Sequence, residues 1–248
     1  MPGGAMGLGE NLCQVEERVS QACARCGRSP DEVTLIAVSK TRSVAQVREA
    51  HRLGLRDLGE NRVEELEEKR AALDDLLADD PPRWHLIGHV QSRKARQAAV
   101  LADLVHSVDS MRLARRLDRC AGEVDRVLPV LLELNVSGEE SKYGFAAETD
   151  EQVDALVEEI RDLGSMAHLN VLGLMTMAPI VEDPEMARPV FVRLRAIRDE
   201  LRARCPWTLW SELSMGMTDD FSVAIEEGAT MIRLGTTLFG PRATPQPV

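Results

Sequence analysis

Short runs of apolar, often β-branched residues alternate along this chain with longer stretches whose apolar positions recur every three or four residues. The first run, Val33-Thr-Leu-Ile-Ala-Val38, is apolar almost throughout, which suits a strand covered on both faces. Ser43-Val-Ala-Gln46 then reads as a capping box, with Val44, Val47 and Ala50 on one helical face and Gly54 as the stop. Leu55 to Gly59 makes a second strand, and Asn61-Arg-Val-Glu64 opens a helix that buries Val63, Leu66, Leu73 and Leu77. Further runs follow at Trp84 to Ile87, Leu104 to Val108, Leu128 to Val136, Leu169 to Met175, Leu209 to Leu213 and Met231 to Leu234. Helical patterns separate them, one of them (Val190, Phe191, Leu194, Ile197, Leu201) with Pro189 at a start or a kink. Eight strand-then-helix units predict an α/β fold, a single (β/α)8 TIM-type barrel with parallel strands inside a ring of helices. An extra amphipathic helix precedes it, so the expected division is a helical extension over 1–30, a barrel over 31–242 and a short tail over 243–248.

The length of 248 residues accommodates one such barrel, and 44% hydrophobic residues supply its core. A net charge of -11 with 3% aromatics argues against nucleic acid as a partner, since both phosphate neutralisation and base stacking would be poorly served. No segment has the roughly 20 apolar residues needed to cross a bilayer, and the start lacks the pattern of an export signal, so a cytoplasmic protein is expected. The odd set of five cysteines fits reduced thiols. Cys13, Cys23 and Cys26 share a helical segment without a second ligand pair, so no metal site is expected there.

In barrels of this kind functional groups gather at the carboxyl ends of the strands. Lys40 stands just beyond the first strand, where an amine among apolar walls can attack an aldehyde and form a Schiff base; by position alone it could equally be a solvated charge. Ser214-Met-Gly-Met-Thr218 follows the seventh strand and Arg233-Leu-Gly-Thr-Thr237 ends the eighth, and both have the glycine and hydroxyl content of an anion-binding loop. Together they describe an aldehyde-and-phosphate pocket.

At this point the chain resembles the pyridoxal phosphate homeostasis (YggS) family. The resemblance rests on Val38-Ser-Lys-Thr41, Gly59-Glu-Asn61, Trp84-His-Leu-Ile-Gly88 with Gln91, Gly173-Leu-Met175, Ser214-Met-Gly-Met217 with Asp219-Asp220, and Arg233-Leu-Gly-Thr236 with Phe239-Gly240. These stand in order from about Asp31 to Arg242, and the chain departs from the usual pattern at His89-Val90 and Gln91-Ser-Arg-Lys94. The resemblance implies a fold type III barrel carrying pyridoxal 5'-phosphate (PLP) on Lys40, with Asn61, Ser214, Arg233, Gly235 and Thr236 around it. Asn61 is also a good helix cap, and His85 reads either as a pocket residue or as a satisfied core histidine. Arg233 is expected at the pyridine nitrogen, where a guanidinium discourages carbanion chemistry.

Two functions share such a pocket. One is a non-enzymatic carrier that stores PLP or delivers it to apo-enzymes, maintaining vitamin B6 and amino-acid homeostasis. The other is a single-domain PLP-dependent amino-acid racemase. The carrier is preferred because only a few residues follow the eighth strand, where catalytic relatives have a second domain, and because the sole tyrosine, Tyr143, sits in a turn-like Ser141-Lys-Tyr-Gly-Phe145 segment. A barrel without that domain is expected to be a monomer.

Overall fold

In a computed structural model of the protein, which describes residues 7–73, 79–139 and 142–241, eight parallel strands close on themselves. They are β1 (Thr34–Val38), β2 (Asp57–Glu60), β3 (Arg83–Leu86), β4 (Leu104–Val108), β5 (Leu128–Asn135), β6 (Leu169–Met175), β7 (Glu212–Ser214) and β8 (Met231–Leu234). Each pairs with its successor, and β8 returns to β1 through Thr34 opposite Met231 and Ala37 opposite Leu234. Around them lie α1 (Leu8–Cys26), α2 (Val44–Arg52), α3 (Val63–Leu73), α4 (Ala95–Leu101), α5 (Met111–Gly122), α6 (Asp150–Glu159), α7 (Arg188–Arg204), α8 (Phe221–Glu226) and α9 (Thr236–Phe239). The barrel expected from the alternating pattern is the fold observed.

β4, β6 and β8 have the bounds their apolar runs predict. The seventh strand does not: it starts at Glu212, because Leu209 is 83% exposed and Trp210 turns the chain at φ +50. Trp210 is buried with its indole N–H donated to Cys205 O at 2.9 Å, so it closes the end of α7 instead of extending the sheet, while Leu209 faces solvent. β2 likewise begins at Asp57 rather than Leu55. A two-residue strand, Phe145–Ala146, is added beside the end of β5. Pro189 lies in the first turn of α7, where its missing N–H costs nothing, after a 3-10 turn over Pro184–Ala187. Leu77 and the tail over 243–248 lie outside the described residues.

The larger core lies between strands and helices; the smaller, inside the barrel, holds Ile36, Leu104, Leu131, Met175 and Met231. α8 and α9 are short, and α1 covers the barrel there, burying Leu12, Val15, Val19 and Ala22. Asn11 Nδ2 donates to Leu238 O at 2.8 Å, and the Arg18 guanidinium lies 4.1 Å above the Phe221 ring. Arg28 donates to the carbonyls of Ile225 and Ala229, both at 2.9 Å. Cys23 is buried in this interface, while Cys13 and Cys26 are exposed free thiols. Among the described residues no helix is long and apolar enough to cross a membrane.

Gly173 of β6 is where the strands approach too closely for any side chain, since a Cβ there would lie 1.9 Å from Glu212 O. Gly235 has no such neighbour, its closest being Val38 O at 3.4 Å. Gly173→Ala is therefore expected to lose more than about 4 kcal/mol or fail to fold, whereas Gly235→Ala folds near the wild-type midpoint, as read by urea unfolding followed by circular dichroism.

Candidate functional site

Lys40 leaves β1 in a turn that the neighbouring elements hold rigidly. Thr41 adopts φ +62, a left-handed conformation that a β-branched residue rarely takes. The turn is fixed by Arg42 N donating to Ser39 O at 2.9 Å, Thr41 N to Glu65 Oε2 at 2.8 Å and Lys69 Nζ to Ser39 O at 2.6 Å. Behind it Lys69 and Glu60 form a buried ion pair at 2.5 Å, and Ser39 Oγ donates to the same carboxylate oxygen at 2.6 Å. Burial pushes the Glu60 carboxyl above its ordinary pKa despite the hydrogen bonds from Lys69 and Ser39. An ion pair in this position stabilises only while both partners remain, because losing one strands the other charge in the core.

Lys40, Asn61, Arg233, Gly235 and Thr236 line one cavity of about 180 Å³ at the carboxyl rim of the barrel. Val38, Ile87, Met177 and Met217 form its apolar walls. Asn61 does not cap α3: that helix starts at Val63, and Leu66 N bonds Arg62 O, which puts Arg62 at the cap. The Asn61 Oδ1 atom is instead buried with no hydrogen-bond partner, and Thr237 Oγ1 beside the cavity is in the same condition. Gly216 shapes the opposite loop at φ +92, where a Cβ would meet the Ala224 side chain at 2.6 Å, and Asp220 Oδ1 pins that loop by accepting from Met217 N at 2.6 Å. In the four-residue α9 the amides of Leu238 and Phe239 both donate to Gly235 O, at 3.1 and 2.9 Å.

Ser214, expected among the residues around the cofactor, stands apart from the other five. It is 0% exposed and does not line the cavity; its hydroxyl lies beneath, accepting from Arg233 Nη1 at 2.6 Å and bonding His106 Nδ1 at 2.8 Å. Arg233 Nη2 donates to Thr176 O at 2.9 Å. Burial lowers the guanidinium to about 10, with Asp220 and Glu133 pulling the other way, so it remains a cation at neutral pH. His85 is a satisfied core histidine: its ring bonds Asp57 Oδ1 at 2.8 Å and His106 Nε2 at 2.9 Å. Tyr143 is 55% exposed and stacks at 4.0 Å on His89, which bonds Asp109 at 2.8 Å. Tyr143 is absent from the lining of the Lys40 cavity.

His106 and Glu133 were not singled out by the sequence analysis. Both were marked by polarity alone: each interrupts an apolar run, in Leu104-Val-His-Ser-Val108 and Leu131-Leu-Glu-Leu134. A polar residue within such a strand faces either the barrel interior or its helices, and only the register decides.

The alanine racemase N-terminal domain family matches residues 11–243. A pyridoxal phosphate homeostasis protein of Aquifex aeolicus is 42% identical over 94% of this chain and 97% of its own length. The chain belongs to the pyridoxal phosphate homeostasis family. PipY of Synechococcus elongatus, solved without PLP, superposes with a TM-score of 0.80 at 39% identity, covering 91% of this chain and 100% of PipY. The same protein with PLP bound gives a TM-score of 0.78 at 38% identity with the same coverage. Alanine racemase of Clostridium difficile, at 14% identity, shares the fold, with a TM-score of 0.71 over 96% of this chain and 60% of the racemase.

Within this family member, Glu133 is a buried carboxyl that burial, and then the nearby Asp109 carboxylate, push up to about 7, with Arg233 opposing. In the unfolded chain it titrates in the ordinary range near 4.5. Folding thus favours the protonated form, so the cost of burying the charged form is absent below the unfolded value, grows as pH rises and is complete above about 7. It amounts to up to about 3 kcal/mol. Glu133→Gln is expected to match the wild type at pH 4 and exceed it in stability at pH 8, as read by urea unfolding across that range.

Proposed function

We propose that this protein binds PLP covalently through Lys40 and stores or delivers it, serving vitamin B6 and amino-acid homeostasis with little amino-acid turnover of its own. The observation that carries the reading is the convergence on one cavity of an amine at Lys40, a cation at Arg233 and an unpartnered buried oxygen at Asn61. When bound, PLP supplies an aldehyde that combines with amines and a pyridine ring that draws electrons from them. In this chain Lys40 would offer the amine, and the backbone at Gly235 and Thr236 would offer donors to the phosphate. Asn61 would turn to the ring substituents a side-chain oxygen that has no competing protein partner. The structure of PipY with PLP bound supports the same ligand for this relative.

Arg233 separates the carrier from the racemase reading. A guanidinium that holds its own proton at neutral pH can donate a hydrogen bond to a pyridine nitrogen but leaves that nitrogen without a full positive charge, which weakens the ring as an acceptor of electrons. Tyr143 stands outside the cavity, stacked on His89, which supports the same conclusion. The protein so understood works in the cytoplasm as a monomer, with apo-forms of PLP-dependent enzymes as recipients.

Purified protein reduced with borohydride should carry PLP on a single peptide containing Lys40, and Lys40→Ala should lose both the adduct and the yellow colour. An adduct on Lys94 or Lys142 instead would remove Lys40 from its role. Incubation with L- and D-amino acids in deuterated water should give little α-proton exchange; robust exchange that vanishes in Lys40→Ala would favour the racemase.

A further inference from the structure

Beneath the cavity a file of buried polar side chains crosses the barrel from the β2–β3 wall to the β7–β8 wall. Arg83 Nη2 donates to Asp57 Oδ2 at 2.6 Å, and Asp57 Oδ1 bonds His85 Nε2 at 2.8 Å. His85 Nδ1 meets His106 Nε2 at 2.9 Å, His106 Nδ1 meets Ser214 Oγ at 2.8 Å, and Arg233 Nη1 reaches Ser214 Oγ at 2.6 Å. Asp57, His85, His106, Ser214 and Arg233 are all buried, in an interior that also holds the Glu133 carboxyl and a small cluster of aliphatic and methionine side chains.

The chemistry of the groups sets the direction of every bond. Asp57 stays ionised, because the hydrogen bonds from His85 and Arg83 outweigh the burial that would raise it, and a carboxylate only accepts. His85 then carries a proton on Nε2, and as a neutral ring it accepts at Nδ1 from His106 Nε2. Burial first, and then the charge of Arg233, hold His106 well below its ordinary pKa and therefore neutral, so with its proton on Nε2 its Nδ1 accepts. That acceptor fixes the Ser214 hydroxyl hydrogen, which turns the oxygen lone pairs toward Arg233. With both imidazoles neutral the donors run in one sense from Arg233 to Asp57.

We infer that Ser214, His106, His85 and Asp57 are positioning residues for Arg233, a file that fixes which face and which N–H groups its guanidinium presents to the ring of the bound cofactor. The inference rests on the PLP reading above. With Nη1 held by Ser214 and Nη2 by Thr176 O, the guanidinium plane has one setting. Without the acceptor at His106 the serine hydroxyl can rotate, and the plane of Arg233 is released with it. A purely structural network would support the fold without bearing on how the site treats one atom of its ligand.

The test compares affinity for PLP with affinity for its 1-deaza analogue, in which the ring nitrogen is replaced by CH. Wild-type protein should prefer PLP. Ser214→Ala and His106→Phe should lose that preference by about tenfold or more while keeping their affinity for the analogue. His106→Asn, whose side-chain oxygen can replace the Nδ1 acceptor, should restore it. Unchanged preference in Ser214→Ala and His106→Phe, or equal loss for both ligands with no rescue by His106→Asn, would overturn the inference. A second readout needs no cofactor: nitrogen NMR of imidazole-labelled protein should show both His85 and His106 neutral with the proton on Nε2, and a proton on Nδ1 of His106 would overturn the file. If wild-type protein forms no reducible adduct on Lys40, the PLP reading fails while the NMR result still judges the file.

Discussion

A guanidinium 5% exposed inside a barrel is the constraint around which the rest of this interior is arranged. An unpaired cation there would cost many kcal/mol, and a direct buried ion pair would fix the charge at the expense of two desolvations. The interior instead surrounds Arg233 with a serine oxygen and a main-chain carbonyl at hydrogen-bond distance, and with the carboxyls of Asp220 and Glu133 acting through their charge. Each of those partners needs its own partner, which is why polarity propagates through Ser214 to two imidazoles and on to Asp57. The small apolar cluster inside the barrel is what remains after that chain has been accommodated.

The same logic, with opposite geometry, operates outside the barrel wall. The Glu60–Lys69 pair lies between β2 and α3 and binds the carbonyl of Ser39, so the helix that packs on the barrel also sets the turn from which Lys40 emerges. Lys40 is therefore fixed from outside and Arg233 from inside. The cavity between them inherits its shape from two independent polar networks, and the apolar side chains lining it complete the walls.

Much of this was legible in the sequence, and the unread part has a common cause. Apolar runs located the strands because a strand covered on both faces must be apolar throughout, and the capping box at Ser43 and Gln46 marked the start of α2 where it occurs. Lys40, Asn61, Arg233, Gly235 and Thr236 could be placed together because strand ends converge at one rim of such a barrel. Ser214 is expected at the cofactor from its place after the seventh strand, and only the register shows that its hydroxyl turns inward and is engaged by His106. Leu209 and Trp210 looked like strand because apolarity does not distinguish a sheet from a plug at the end of a helix.

The clasp of α1 over α8 and α9 bears on how the chain acquires its structure. β1 cannot complete its pairing until β8 exists, and α1 finds its groove only when Phe221, Ile225 and Leu238 have been made. During synthesis the first helix therefore emerges with an apolar face that has no native cover until the residues through Leu238 have left the ribosome. Non-local closure of this kind slows folding and prolongs exposure to chaperones and to self-association. The acidic balance of the chain, with 41 Asp and Glu against 30 Lys and Arg, supplies a repulsion between nascent copies during that interval.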